Sequence, residues 1–180
     1  RVCEVISRHC IVIMITAEVS QEMVLAALEH KPDSYLCKPY SISTLHRRLN
    51  QCMVKKQSMY PIYQALDNND KRLTVTLVND ALSNDTPYKT ECLGIQSRQY
   101  FELEQFHQAQ KIYTTYQNHP NCQWANIGLG KIALQNKNLH DAETIFKNLI
   151  KTHPLYLPAY DWLAETYQKE SNNVYAQEIL

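Results

Sequence analysis

The sequence predicts a mostly α-helical protein: an α-solenoid of helix pairs over 59–180, preceded over 1–58 by part of a doubly wound α/β unit. Two observations carry this. The first third of the chain alternates apolar strand-like runs with capped helical stretches, in the order strand–helix–strand–helix. The remainder repeats itself: Pro87, Pro120 and Pro154 are spaced by 33 and 34 residues, and so are Ala109, Ala142 and Ala176. A period of that length suits one helix–turn–helix unit stacked on its neighbours.

Residues 2–9 read as a short helix. The run Ile11-Val-Ile-Met-Ile-Thr16 has no polar interruption, as a strand buried on both faces of a parallel sheet requires. Ser20 is an N-cap for a helix over 21–30, with Met23, Val24, Ala27 and Leu28 on one face. Lys31-Pro32-Asp33 breaks that helix. A strand follows over 34–37 and ends at Pro39. Ser41 caps a helix over 41–53 that is expected to carry Ile42, Leu45 and Leu49 toward the sheet. Thr16 and Lys38 both fall at strand carboxyl ends, where sheets of this kind place their ligands. Their separation of 22 residues leaves room for one helix between two neighbouring parallel strands. A hydroxyl and an ammonium there suit two oxygens of a phosphoryl group. Taken singly, a threonine after a strand is usually a helix-cap or turn residue, and a Lys-Pro pair usually a turn.

Together, the apolar strand, Thr16-Ala17, Asp33-x-Tyr35-x-x-Lys38-Pro39 and the capped helix resemble the C-terminal part of the receiver domain of two-component response regulators. The resemblance implies that Thr16 and Lys38 contact a phosphoryl group. It implies that Tyr35 is the aromatic whose rotamer follows the threonine, and that the Lys38–Pro39 peptide bond is cis. The family's phosphoaccepting aspartate and acidic magnesium ligands lie upstream of the strand matching 11–16, and nothing here supplies them. Asp33 precedes the last strand and is no substitute. No cofactor is therefore expected for this chain, magnesium being implied only for an intact receiver, and acetyl phosphate is expected not to label it. A half sheet also leaves an exposed parallel edge and bare apolar faces.

Over 59–180 the periodicity predicts helices near 59–67, 70–83, 88–103, 105–118, 122–135, 139–152, 156–168 and 172–180. Tyr113 and Phe146 each follow their alanine by four residues, as Leu180 does. Leu129-Gly130 and Leu163-Ala164 precede Ala142 and Ala176 by thirteen and twelve. Small residues (Gly130, Ala142, Ala164, Ala176) let helices approach, and large ones (Tyr113, Phe146, Leu163, Tyr167) fill the layer between. This pattern resembles tetratricopeptide repeats, in three clear copies and a degenerate first one. Trp124-Ala-Asn-Ile-Gly-Leu-Gly130 and Pro158-Ala-Tyr-Asp-Trp-Leu-Ala164 are similar to repeats in a subgroup of bacterial response regulators with a receiver followed by a tetratricopeptide output domain. The helix from Ser41, continued past Met59, would join the two parts. A last helix ending on Leu180 reads as cut short or paired with another chain.

The 18 basic and 18 acidic side chains cancel, unlike the basic excess of nucleic-acid binders. Arg47-Arg48 and Lys55-Lys56 read as solvated helix faces. No apolar run approaches the ~20 residues of a membrane span, and residue 1 is Arg with no signal peptide after it, so a cytoplasmic piece of a soluble protein is expected. The six cysteines form no CxxC pair and read as reduced thiols. His46, His119, His140 and His153 lack ligand spacing. The pairs Glu102/Glu104 and Asp141/Glu143 have no reason to act as acid and base, so no enzyme is expected.

The expected role is that of a signalling adaptor whose repeat groove holds a protein partner. By position Trp124, Ile127, Lys131, Asp161 and Glu165 face that groove, although each also reads as a solvated or packing residue. For an intact protein the resemblance implies a sensor histidine kinase upstream. The alternative is a constitutive scaffold or homo-oligomerisation module with the receiver remnant as a structural cap.

Overall fold

The computed structural model describes residues 8–17 and 32–170. Among these the protein is mostly helical, with seven helices and one two-stranded parallel sheet. The helices expected over 21–30, with its Ser20 cap, and over 172–180, with Ala176 and Leu180, lie outside the described residues. So does most of 2–9, whose described end, Arg8 and His9, forms a turn. The chain divides into two compact units, Arg1–Leu77 and Val78–Leu180.

In the first unit, strands β1 (Ile13–Thr16) and β2 (Ser34–Cys37) pair in parallel, from Ile13 opposite Ser34 to Thr16 opposite Cys37. The first strand begins two residues later than the apolar run. Val12 donates its N–H to the Asp33 carboxylate at 2.9 Å instead of to a neighbouring strand. Its carbonyl accepts the Asp33 N–H at 2.8 Å.

Helix α1 (Ile42–Asp67) is a single helix of 26 residues that runs through position 58. Ser41 caps it, its Oγ accepting the Thr44 N–H at 3.1 Å. Two of the side chains expected against the sheet are not there: Ile42 is 77% exposed and Leu49 37%. The buried stripe is Cys52 and Met59 with half-buried Leu45, spaced by seven residues and about 60–100° round the helix from Ile42. Pro61 does not end the helix. It lies on the exposed side, where water can meet the Gln57 carbonyl it leaves unpaired, while Met59, Ile62 and Tyr63 are buried around it. The segment at 59–67 is thus the second half of α1.

Helix α2 (Lys71–Ser83) starts on Asp70, whose carboxylate accepts the Leu73 N–H at 2.9 Å, and the division between the units falls within it. In the second unit follow α3 (Lys89–Glu102), α4 (Phe106–Tyr116), α5 (Gln123–Gln135), α6 (Leu139–Thr152) and α7 (Leu157–Lys169). Each packs on the next, and α5 also packs on both α3 and α7.

The 33-residue period reappears in the turns. Gln105 donates to Tyr100 O at 2.8 Å, and Asn138 donates to Ala133 O at 2.9 Å. Between them Glu104 and Lys137, 33 residues apart, take left-handed φ of 59°. These are matching helix stops of the six-to-one kind, made without glycine.

Two of the chain's three glycines serve packing instead. Gly128 and Gly130 point to opposite sides of α5. A Cβ on Gly128 would fall on the Tyr113 ring of α4, and one on Gly130 on the Phe146 ring of α6. Both rings are fully buried, at 2% and 0% exposure. Helix α5 is thereby seated between two aromatic side chains, each lying where a side chain is missing.

Candidate functional site

The first candidate lies at the carboxyl ends of β1 and β2. Lys38 donates its N–H to Thr16 O at 2.8 Å, one rung beyond the Thr16–Cys37 pair. This sets Thr16, half-buried, and Lys38, exposed, side by side. Tyr35 sits further back, opposite Met14, and is half-buried. The Lys38–Pro39 peptide bond is cis and Pro39 is exposed. The contact between Thr16 and Lys38 is through the backbone.

Asp33 occupies the other end of the same sheet. Besides Val12 it holds Lys56, Nζ to Oδ1 at 2.9 Å, with both side chains only 16% exposed. Its carbonyl accepts Cys52 Sγ at 3.7 Å. Asp33 thus ties β1, β2 and α1 together, a role the sequence pattern did not reveal. Nearby, Arg8 pairs with Asp67, and Lys56 donates to Arg8 O at 2.7 Å.

The second candidate is the face shared by α3, α5 and α7. Lys131 extends from α5 so that its Nζ lies 4.4 Å from the centre of the Phe101 ring of α3 and 4.8 Å from that of Trp162 of α7. The ammonium is stacked between two aromatic rings on flanking helices, favourably for a cation. Burial pulls the Lys131 ammonium below the ordinary lysine range; Glu102 and Glu165 oppose that and Arg98 adds to it. Glu165 also pairs with Lys169 at 2.9 Å, one helical turn on. Asp161 is exposed on the same helix.

The five groove residues read from the sequence do not share one environment. Trp124 stacks on Tyr116 at 5.9 Å and meets Tyr113 edge-on at 6.1 Å. A Cβ on Gly94 would lie 3.3 Å from its indole. Trp124 is therefore a packing residue between α3 and α4. Ile127 packs against the core of Leu134, Phe146, Leu163 and Tyr167. Lys131 and Glu165 come together, and Asp161 lies four residues before Glu165 on α7. Phe101, Glu102 and Trp162 belong to the same cluster. They lie about thirty residues from Lys131, and no local spacing links positions so far apart.

Helices α6 and α7 are joined by a smaller polar cluster. Tyr167 donates its hydroxyl to Glu143 Oε1 at 2.8 Å, and Lys147 pairs with the same oxygen at 2.7 Å. The hydrogen bonds from Lys147 and then Tyr167 hold the Glu143 carboxyl below its ordinary range. Cys10, Cys37, Cys52, Cys92 and Cys122 are free thiols. Burial pushes Cys92 up to about 11, and raises Cys52 and Cys122. These three are poor nucleophiles. Among the described residues no group of three or more His, Cys, Asp or Glu converges as a metal site, and no helix is long and apolar enough to cross a membrane.

No protein-family model matches this chain, and no curated protein matches it significantly.

Proposed function

We propose that the protein is a protein-binding adaptor of a phosphorelay: a receiver-like first segment joined to tetratricopeptide-like repeats that hold a partner on the α3–α5–α7 face. The observation that carries this reading is the layered packing of the second unit, glycine against ring on both sides of α5, with the period of 33 recurring in its turns. Stacks built this way expose one continuous face to partners and are suited to binding extended or helical peptides. The backbone hydrogen bond from Lys38 to Thr16 at the strand ends, with the cis Lys38–Pro39 bond after it, supports the receiver resemblance. On this reading residues 1–180 carry no phosphoaccepting aspartate and need no cofactor, and acetyl phosphate with magnesium leaves them unlabelled. The same reading puts a sensor histidine kinase upstream of the adaptor.

The test is capture by the immobilised full chain from a lysate of the source organism, read by mass spectrometry. Recovery of a histidine kinase or another two-component protein is expected, and recovery of none would contradict the phosphorelay assignment.

A second reading, a homo-oligomerising scaffold, is favoured by one observation. Ile42, Leu49, Met53 and Tyr60 are all exposed, lie within about 40° of each other on α1 and recur with seven- and four-residue steps. Such a stripe suits a second copy of the same helix. Light scattering on Leu49→Lys/Met53→Lys beside the unaltered chain decides it: a dimer that becomes a monomer supports this reading, and a monomer in both rejects it.

A further inference from the structure

The ammonium of Lys131 sits where a ligand would. Phe101 and Trp162 come from two different helices, α3 and α7, and their rings flank a single position, 4.4 and 4.8 Å from its occupant. Burial disfavours a charge at that position and Arg98 adds to this, while the carboxylates of Glu102 and Glu165 favour it. Two aromatic rings with acidic groups beside them attract alkylammonium and guanidinium ions. The occupant is tethered: Lys131 reaches the slot from α5, between the two ring-bearing helices. Neither Phe101 nor Trp162 is fully buried, so the slot opens on the surface.

We propose that Phe101 and Trp162, with Glu102 and Glu165, form a cation-binding slot on the α3–α5–α7 face, that Lys131 fills it in the free protein, and that a lysine or arginine side chain of a bound peptide takes its place. A partner would then be recognised by a basic residue aimed at the slot, and Lys131 would act as an internal competitor that excludes weak cations. The peptide part of this proposal rests on the reading of this face as the partner surface. The slot itself is tested without any partner.

The probes are tetramethylammonium and N-acetyl-arginine amide, titrated into the full chain carrying Trp124→Phe, so that fluorescence reports Trp162 alone. Lys131→Ser in that background is expected to bind both cations roughly 2- to 30-fold more tightly than the chain that keeps Lys131, the range expected for a cation over aromatic faces. Adding Trp162→Leu leaves no tryptophan, so the same titration is then followed by isothermal titration calorimetry for every variant, and this change is expected to abolish the gain. No gain on Lys131→Ser, or a gain that survives Trp162→Leu, would overturn the slot. A second measurement needs no variant. The ε-methylene protons of Lys131 should be shifted upfield by the two rings, and should move toward their random-coil position as N-acetyl-arginine amide is added. Unshifted protons, or a shift that high concentrations of the amide leave unchanged, would overturn it too. A slot that passes both tests in a chain that captures no partner fails the adaptor reading and leaves the slot standing.

Discussion

The two compact units hold themselves together by different means. Val78–Leu180 relies on shape: Phe146 fills the place of a missing side chain at Gly130, and Tyr113 does the same at Gly128. Among the described residues Arg1–Leu77 relies more on polar ties, because its short strands and α1 leave Ile15, Ile42, Leu49 and Met53 exposed. There Asp33 does in one residue what a packed layer does in the other unit. It accepts from the Val12 backbone and pairs with Lys56 while mostly shielded from water. The difference predicts that the repeat unit fails by losing volume and the sheet unit by losing a charge.

The largest effect should come from emptying the repeat layer. Phe146→Ala removes a ring with 0% exposure and should cost about 3–5 kcal/mol. Both tryptophans lie in Val78–Leu180, so urea unfolding followed by tryptophan fluorescence reads that unit. A loss under about 1 kcal/mol would mean that the layer collapses around the gap.

The glycines sharpen the same point. Gly130→Ala forces a methyl onto the Phe146 ring and should cost about 1–3 kcal/mol. Gly94→Ala meets Trp124 at 3.3 Å, a contact a small shift relieves, and should cost clearly less. Equal costs would break the claim that the α5 glycines are places for rings.

On the other side of the comparison, Asp33→Ala strips a partner from Lys56 and an acceptor from Val12, at about 1–3 kcal/mol. Amide exchange at Val12 should quicken while the tryptophan unfolding transition stays in place. A shift of that transition would show that the polar tie supports both units.

The smallest effect is a pH dependence. Glu143 has its pKa lowered in the folded chain by Lys147 and Tyr167. Its contribution is therefore present above the unfolded pKa and lost as pH falls through the folded one. Because the cluster is partly solvated, it is about 1 kcal/mol or less at neutral pH. Stability of Glu143→Gln should fall below that of the unaltered chain at pH 7 and converge with it in acid. Parallel curves would remove the cluster from the account.

The sequence carried the elements of the second unit well because a period is a long-range signal: one spacing places every helix from α3 to α7 within one to two residues. It carried Ser41 and the two strand ends for a local reason, since caps and prolines act on their own neighbours. It did not carry which face of α1 is buried. Ile42 and Cys52 lie about 80° apart on the helix, and the ties of Asp33 to Lys56 and Cys52 hold the latter side toward the strands. It pointed to Gly130 but not to Gly128, whose partner Tyr113 belongs to the preceding helix. Of the groove residues it named, Trp124 and Ile127 went to packing, because an aromatic or branched side chain serves equally on either side of a helix. The Phe101–Lys131–Trp162 stack was beyond reach: its members are joined only by the packing of α3 on α5 and α5 on α7.

The central claim is that the α3–α5–α7 face is where a partner binds. Capture from source lysate by the full chain should be compared between the unaltered protein, Asp161→Lys on that face, and a change at exposed Thr115 of α4, Thr115→Lys. The account predicts proteins that the unaltered chain and Thr115→Lys recover and Asp161→Lys loses. Equal recovery by all three, or loss with Thr115→Lys alone, would contradict it.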